Sequence, residues 1–185
     1  MEPASVVVKP SSSHGKGVFA VVDFKAGDII LERYDSRLVT DEAPLRKGER
    51  VYHCDWLPDG RIVYVQEPER YTNHSCDPNA YGKEIDSVRY CVARRDIHTG
   101  DEITYDYCID NWGDITWQCD CGSARCRKTI HNDFFHLPLE IQIEYLPYLT
   151  QGYRERFKEQ VEELTRKAAL NEAGALLEYE VRRRG

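Results

Sequence analysis

Asn73-His74-Ser75-Cys76-Asp77-Pro78-Asn79 is the stretch around which the rest of this 185-residue chain is read. It is polar and turn-forming, Asp77-Pro78 above all, yet it holds a histidine and a cysteine two residues apart. Further along runs Gly100-Asp101-Glu102-Ile103-Thr104-Tyr105-Asp106-Tyr107, a strand signal opened by a glycine turn. A third string, Cys119-Asp120-Cys121-Gly122-Ser123-Ala124-Arg125-Cys126, crowds three thiols around a glycine. Three sulfurs leave a tetrahedral structural zinc one ligand short. Cys54, Cys91 and Cys108 lie in apolar or strand contexts, where a free cysteine is usually a small buried hydrophobe. Cys76 does not. The pattern therefore points to Cys76, Cys119, Cys121 and Cys126 as a zinc site, with packing thiols as the plainer alternative for all seven cysteines.

Composition narrows the class. Hydrophobic content of 41% and charged content of 31% are those of a globular chain of one ordinary domain. No stretch approaches the roughly 18 apolar residues that a membrane helix needs, and Val6 to Val8 is too short for a signal-peptide core. An intracellular protein is expected, cytoplasmic in a bacterium, with nucleus or chromatin open in a eukaryote. Seven cysteines inside a cell argue for metal or buried thiols over disulfides. A net charge of −7 disfavours direct nucleic-acid binding and favours a basic protein or peptide as partner.

Short β segments dominate the first 110 residues or so: Val6 to Lys9, Val18 to Phe24, Asp28 to Glu32, Ile62 to Gln66, Val88 to Ala93 and Glu102 to Cys108. Asp23-x3-Gly27-Asp28-x-Ile30 and Asp96-x3-Gly100-Asp101-x-Ile103 spell the same turn twice. Residues 41–60, with two prolines and two glycines among charges, read as a mobile insert carrying a short strand around Val51 to Cys54. Pro138 opens a helix that Pro147 interrupts. A second helix follows, with Phe157, Val161, Leu164 and Ala168 on one face and Glu162/Arg166 and Glu163/Lys167 as i,i+4 pairs, broken near Asn171 and Gly174. That face packs on its own domain or serves self-association. The terminal Arg182-Arg183-Arg184 is too short to argue nuclear import.

With Ser13-His14-Gly15-Lys16-Gly17-Val18-Phe19-Ala20 added as a fourth string, the order of motifs resembles the SET-domain protein lysine methyltransferases with a post-SET zinc segment, over about residues 5–130. The resemblance implies a mainly β SET fold of small curved sheets around a knot-like crossing, with a zinc lobe and C-terminal helices. Its parts would be a catalytic core at 1–109, a post-SET segment at 110–135 and a helical tail at 136–185. It implies S-adenosylmethionine as cofactor, with Gly15, Lys16 and Gly17 along its methionine part, Asn73 and His74 on its amino group and adenine, and Trp117 stacked on the adenine or bracing the zinc lobe. Tyr107 resembles the tyrosine at the methyl-transfer pore. Tyr105 occupies the family's phenylalanine/tyrosine switch, where a hydroxyl favours mono- or dimethylation. Tyr34 resembles a channel-lining tyrosine only with a one-residue shift, and is equally a surface tyrosine. Acidic positions Glu67, Glu69, Glu84, Asp86, Asp110 and Asp114 are candidates for a cleft that takes a histone tail or another lysine-bearing segment, with solvated surface as the plainer reading. The alternative function is a catalytically silent SET-fold interaction module.

Overall fold

The computed structural model describes residues 4–34 and 37–184. Eleven strands are described, β1 (Val6–Pro10), β2 (Lys16–Ala20), β3 (Ile29–Arg33), β4 (Cys54–Trp56), β5 (Ile62–Tyr64), β6 (Asn73–His74), β7 (Ala80–Ile85), β8 (Val88–Ala93), β9 (Glu102–Tyr105), β10 (Trp112–Gln118) and β11 (Thr129–Asp133). They are followed by helices α1 (Leu139–Tyr145), α2 (Gln151–Arg156) and α3 (Lys158–Arg184). The strands form four small sheets, ordered β1-β2-β9-β6, β3-β8-β7, β4-β5 and β10-β11. The expected mainly β arrangement of small sheets, with helices at the C-terminal end, is thus present.

The sheet that matters for function has β9 at an inner position. It pairs antiparallel with β2 (Val18 opposite Ile103) and parallel with β6 (Asn73 opposite Thr104, His74 opposite Tyr105). Parallel pairing requires a long connection, and here residues 75–101 supply it. The contact is sealed by side chains. Asn79 accepts the Thr104 amide at 2.9 Å and donates to the Glu102 carbonyl at 2.8 Å, while the Ser75 amide donates to the Tyr105 carbonyl at 2.6 Å. The polar string 73–79 is held as a crossing because β9 satisfies its hydrogen bonds, as buried backbone demands.

The repeated turn proves to be a matched pair. Gly27 and Gly100 have φ of +94° and +96°, a region open to glycine at little cost. The turns grip each other, Asp23 accepting from Thr99 and Asp96 from Ala26 and Lys25. Between them lies one core: Val18, Ala20, Phe24, Ile30, Ala80, Cys91, Ala93, Ile97 and Ile103.

Several expectations need correction. β7 carries Gly82, Lys83 and Glu84, which masked its period; β8 pairs along its whole length. The β10-β11 ribbon was hidden by Gly113, Asp114 and a register shift between Trp112 and Thr116. Val51–His53 is a 3-10 turn, and the strand expected there begins at Cys54. The insert is fastened by Arg37, which donates to the carbonyls of Ala43 (3.0 Å) and Pro44 (2.8 Å) and to Glu49 (2.9 Å). α3 runs through Asn171 and Gly174 without a break. Its Glu163 pairs with Arg166 and Lys167, and Glu162 with Lys158 in place of Arg166. The side chains of Arg182 to Arg184 lie outside the described residues.

A second core joins the zinc-motif segment to the helices: Cys76, Cys108, Cys119, Ile130, Phe134, Leu137, Tyr145, Leu149, Tyr153, Val161 and Leu164. The apolar face of α3 that was open to self-association is therefore turned inward at Val161 and Leu164.

Candidate active site

The crossing brings the glycine loop, the Asn73-His74 string and the end of β9 to one place. Gly15 has φ of +51°. The Asn73 amide nitrogen donates toward the carbonyls of His14 (3.1 Å) and Lys16 (3.0 Å) and to Glu102 Oε1 (2.7 Å). The loop is thus drawn onto β6. Glu102 also accepts from Ser11 Oγ at 2.8 Å, and a Cβ on Gly17 would stand 2.2 Å from Glu102 Oε1. A side chain at position 17 would have to displace this carboxylate from its partners. Lys16 places its ammonium 5.0 Å from the Tyr71 ring centroid.

Tyr107 sits just past β9. Its amide donates to His74 Nδ1 at 3.1 Å and its hydroxyl donates to the Thr72 carbonyl at 2.7 Å. The residue is 41% exposed overall, with the hydroxyl at its sheltered end. Burial of the phenol, aided by the negative charge of Glu102, pushes it up to about 12. It is a protonated dipole at neutral pH.

His74 is the joint of the site. Because Nδ1 accepts from Tyr107, the hydrogen-bond network assigns the ring proton to Nε2, which lies 3.4 Å from Cys76 Sγ. Burial brings the imidazole down to about 4, with Asp106 opposing and Arg127 reinforcing the shift. It is neutral under ordinary conditions. The ring makes edge contacts with Tyr107 (5.2 Å) and Trp117 (5.7 Å), and Tyr107 and Trp117 lie 6.3 Å apart.

The sulfurs of Cys76, Cys119, Cys121 and Cys126 all lie within 4.8 Å of one another. A tetrahedron with metal–sulfur distances of about 2.3 Å has edges of about 3.8 Å. The Cys76–Cys119 separation is 3.8 Å. Burial opposes ionisation of Cys121, but amide donors from Cys76 and Ser123 outweigh it and bring the thiol down to about 6, whereas burial pushes the Cys76 and Cys119 thiols up. A thiolate is what a metal site requires. Cys54, Cys91 and Cys108 stand outside the cluster; Cys108 donates to the His131 carbonyl at 3.2 Å.

Arg127, next to Cys126, lies just past the thiol string, and the sequence reading gave it no task. Its amide donates to Cys76 Sγ at 3.4 Å, and its guanidinium forks onto the buried Asp106 at 2.5 and 2.9 Å. A buried carboxylate one residue before Tyr107 was the sequence signal for such a cation. Thr72 and Glu102 were likewise missed, since one acts through its carbonyl and the other through a contact 29 residues away from Asn73.

Tyr105 lies beneath. Its hydroxyl is buried against the Cys91 thiol, and that burial holds the phenol well above its ordinary range. The guanidinium of Arg33 lies 5.7 Å from the ring centroid, paired with Glu69 and, at 3.0 Å, with Asp55. Tyr34, by contrast, is 55% exposed. The inward residue at the end of β3 is Arg33, because strand alternation turns neighbours to opposite faces.

The acidic cleft does not form as expected. Glu69 is buried on Arg33, Glu67 binds Arg70 and Tyr71, and Asp110 accepts the Thr150 amide at 2.9 Å. Glu84 and Asp86 belong to the distant β7-β8 hairpin.

The family model described as the SET domain matches residues 15–108. The chain belongs to the SET-domain family. It is 33% identical over 134 residues to the histone-lysine N-methyltransferase trithorax of Drosophila virilis, covering 65% of this chain and 3% of that protein. Similarity to the histone-lysine N-methyltransferase TRX1 of Oryza sativa subsp. japonica is 33% over 138 residues, covering 66% and 13%. For the H3 lysine-36 specific histone-lysine N-methyltransferase of Eremothecium gossypii it is 31% over 140 residues, covering 68% and 20%. This SET-domain chain thus spans at most a fifth of the length of these relatives. Among the described residues no helix is long and apolar enough to cross a membrane.

Proposed function

We propose that this SET domain transfers a methyl group from S-adenosylmethionine to the side-chain amine of a protein lysine. The observation that carries the reading is the convergence of Asn73, His74 and Tyr107, brought together only by the parallel pairing of β6 with β9. Bound S-adenosylmethionine would supply an electrophilic methyl on a sulfonium. The glycine loop and Asn73 would hold its amino-acid end, His74 and Trp117 its adenine side. A structural zinc fits the four sulfurs, whose mutual spacing suits a tetrahedral thiolate site.

The chain's own task is alignment. A lysine near pKa 10.4 in water must arrive as the neutral amine. A narrow apolar approach disfavours the ammonium and so lowers that value. The Tyr107 phenol stays protonated and its hydrogen is committed to Thr72, leaving oxygen lone pairs to orient the reacting centre without acting as a base. In-line placement then carries most of the acceleration.

The Tyr105 hydroxyl, held by nothing stronger than the Cys91 thiol among the described residues, is available to bond the amine. It would crowd a more methylated nitrogen, which favours mono- and dimethylation. The names of the relatives support a histone tail as substrate, in the nucleus or on chromatin. The test is incubation of zinc-loaded protein with labelled S-adenosylmethionine and core histones, followed by mass analysis of the labelled lysines. Products limited to one or two methyls, rising to three in Tyr105→Phe, are expected. Trimethylation by the wild type refutes the product assignment, and absence of cofactor binding in calorimetry refutes the activity.

A further inference from the structure

The family match ends at residue 108, so it assigns nothing to helix α1. Yet one turn of that helix contacts both segments that carry the four cysteines, at Arg125 beside Cys126 and at the Cys76 carbonyl. Glu144 receives the guanidinium of Arg94, at the end of β8, and that of Arg125, which precedes Cys126. Asp77, which follows Cys76, lies among the same cations: 2.9 Å from Arg95, 3.8 Å from Arg125 and 3.9 Å from Arg94. Beside Glu144, the Tyr145 hydroxyl donates to the Cys76 carbonyl at 3.5 Å, with Arg94 5.3 Å from its ring centroid.

Residues 119–128 contain almost no regular structure. Such a segment keeps its shape only if something outside it does the ordering. The β10-β11 ribbon holds its two ends, and Arg125 near its tip is held by Glu144. Without that carboxylate, Arg125 would be left with Asp77 at 3.8 Å, and Arg94 with Asp77 and the Pro78 carbonyl. We propose that Glu144 is a positioning residue that preorders the zinc-binding segment over the cofactor site, making the C-terminal helices part of the catalytic apparatus. This rests on the zinc and cofactor reading above.

The network is partly exposed: Arg94, Glu144, Asp77 and Arg125 retain 12%, 31%, 32% and 41% of their side-chain surface. Salt should therefore weaken it.

The experiment compares full-length, zinc-loaded wild type with Glu144→Gln, and with Glu140→Gln, an exposed position on the same helix, as control. Zinc transfer to a chromophoric chelator and calorimetric S-adenosylmethionine affinity are read well below the melting temperature. Glu144→Gln should release zinc about tenfold faster, the scale of a lost partner to a metal-ligand segment. It should also bind cofactor more weakly and raise KM for the cofactor without raising KM for the lysine substrate. Added salt should bring wild-type zinc release toward the variant rate, with a smaller effect on the variant, which keeps only the Asp77 pairs. Zinc release and cofactor affinity within twofold of wild type in Glu144→Gln, or an equal effect from Glu140→Gln, would overturn the proposal alone. A wild type that binds neither zinc nor S-adenosylmethionine would overturn the reading it rests on and the proposal with it.

Discussion

The Tyr107 amide donates to His74 Nδ1 at 3.1 Å, and the opposite nitrogen of that ring faces Cys76 Sγ at 3.4 Å. One neutral imidazole thus connects the backbone of the pore tyrosine to the first sulfur of the metal site. On the proposed function, metal occupancy and the placement of Tyr107 would be mechanically tied, because rotating the ring to suit one partner breaks its bond to the other.

Replacing His74 with phenylalanine keeps ring packing on Trp117 but removes both bonds. Zinc affinity and kcat should each fall on the order of 10- to 100-fold, the usual cost of losing a partner that orients a metal ligand. Competition with a chelator and single-turnover methyl transfer measure the two. A fall in one with the other intact would mean that the ring does not connect them.

Gly17→Ala should act through Glu102. The added carbon would meet Oε1 at 2.2 Å and force the carboxylate off Asn73 and Ser11. The expected cost is about 1–3 kcal/mol, typical of overpacking. In a Glu102→Asp background the shorter side chain leaves room, so the two changes should be non-additive in urea unfolding. Strict additivity would point elsewhere.

Arg127→Met leaves the Asp106 carboxylate, fully buried, without its cation, and should cost about 3–5 kcal/mol. Arg127→Lys keeps the charge but not the two-pronged contact, and should cost less while still destabilising. Denaturant titration of the zinc-loaded protein gives both. Equal stability of the two variants would show that charge, not the fork, is irrelevant to the site.

Asp110 gives a pH signature. Enclosure pushes its carboxyl from an ordinary 3.8 up to about 7, partly offset by the Thr150 amide. Between those values the folded chain binds more protons at this group than the unfolded chain, so its contribution to stability falls as pH rises from about 4 to about 7 and then levels. Asp110→Asn keeps an oxygen for Thr150 and suits the residue's φ of +59°. The variant should lose that slope and match or exceed wild type at pH 8 in thermal melts. An unchanged slope would assign it to other groups.

Much of this was legible because some residues announce their chemistry locally. The β segments from Val6 to Glu102, the paired Gly27 and Gly100 turns and the thiol string at Cys119 are each written within a few neighbouring residues. What failed were elements whose pattern is set by partners: β7 with its Gly82-Lys83-Glu84, the irregular β10-β11 ribbon, and α3 across Gly174, each fixed by pairing or by extension from an already formed helix. Arg33 in place of Tyr34 was a question of which face of β3 turns inward, decided by the register of β3 on β8.

The sequence alone determined the family, the order of its strings and the chemical identity of the donors, since side-chain type and short-range spacing are covalent facts. The tertiary structure decided which of those donors meet. Asn73 reaches Glu102, His74 reaches both Tyr107 and Cys76, and Glu144 reaches Arg125 only because parallel pairing at β6-β9 and a shared core close loops of tens of residues. Contacts of that range are chosen by burial and hydrogen-bond satisfaction over the whole molecule, which no local stretch encodes.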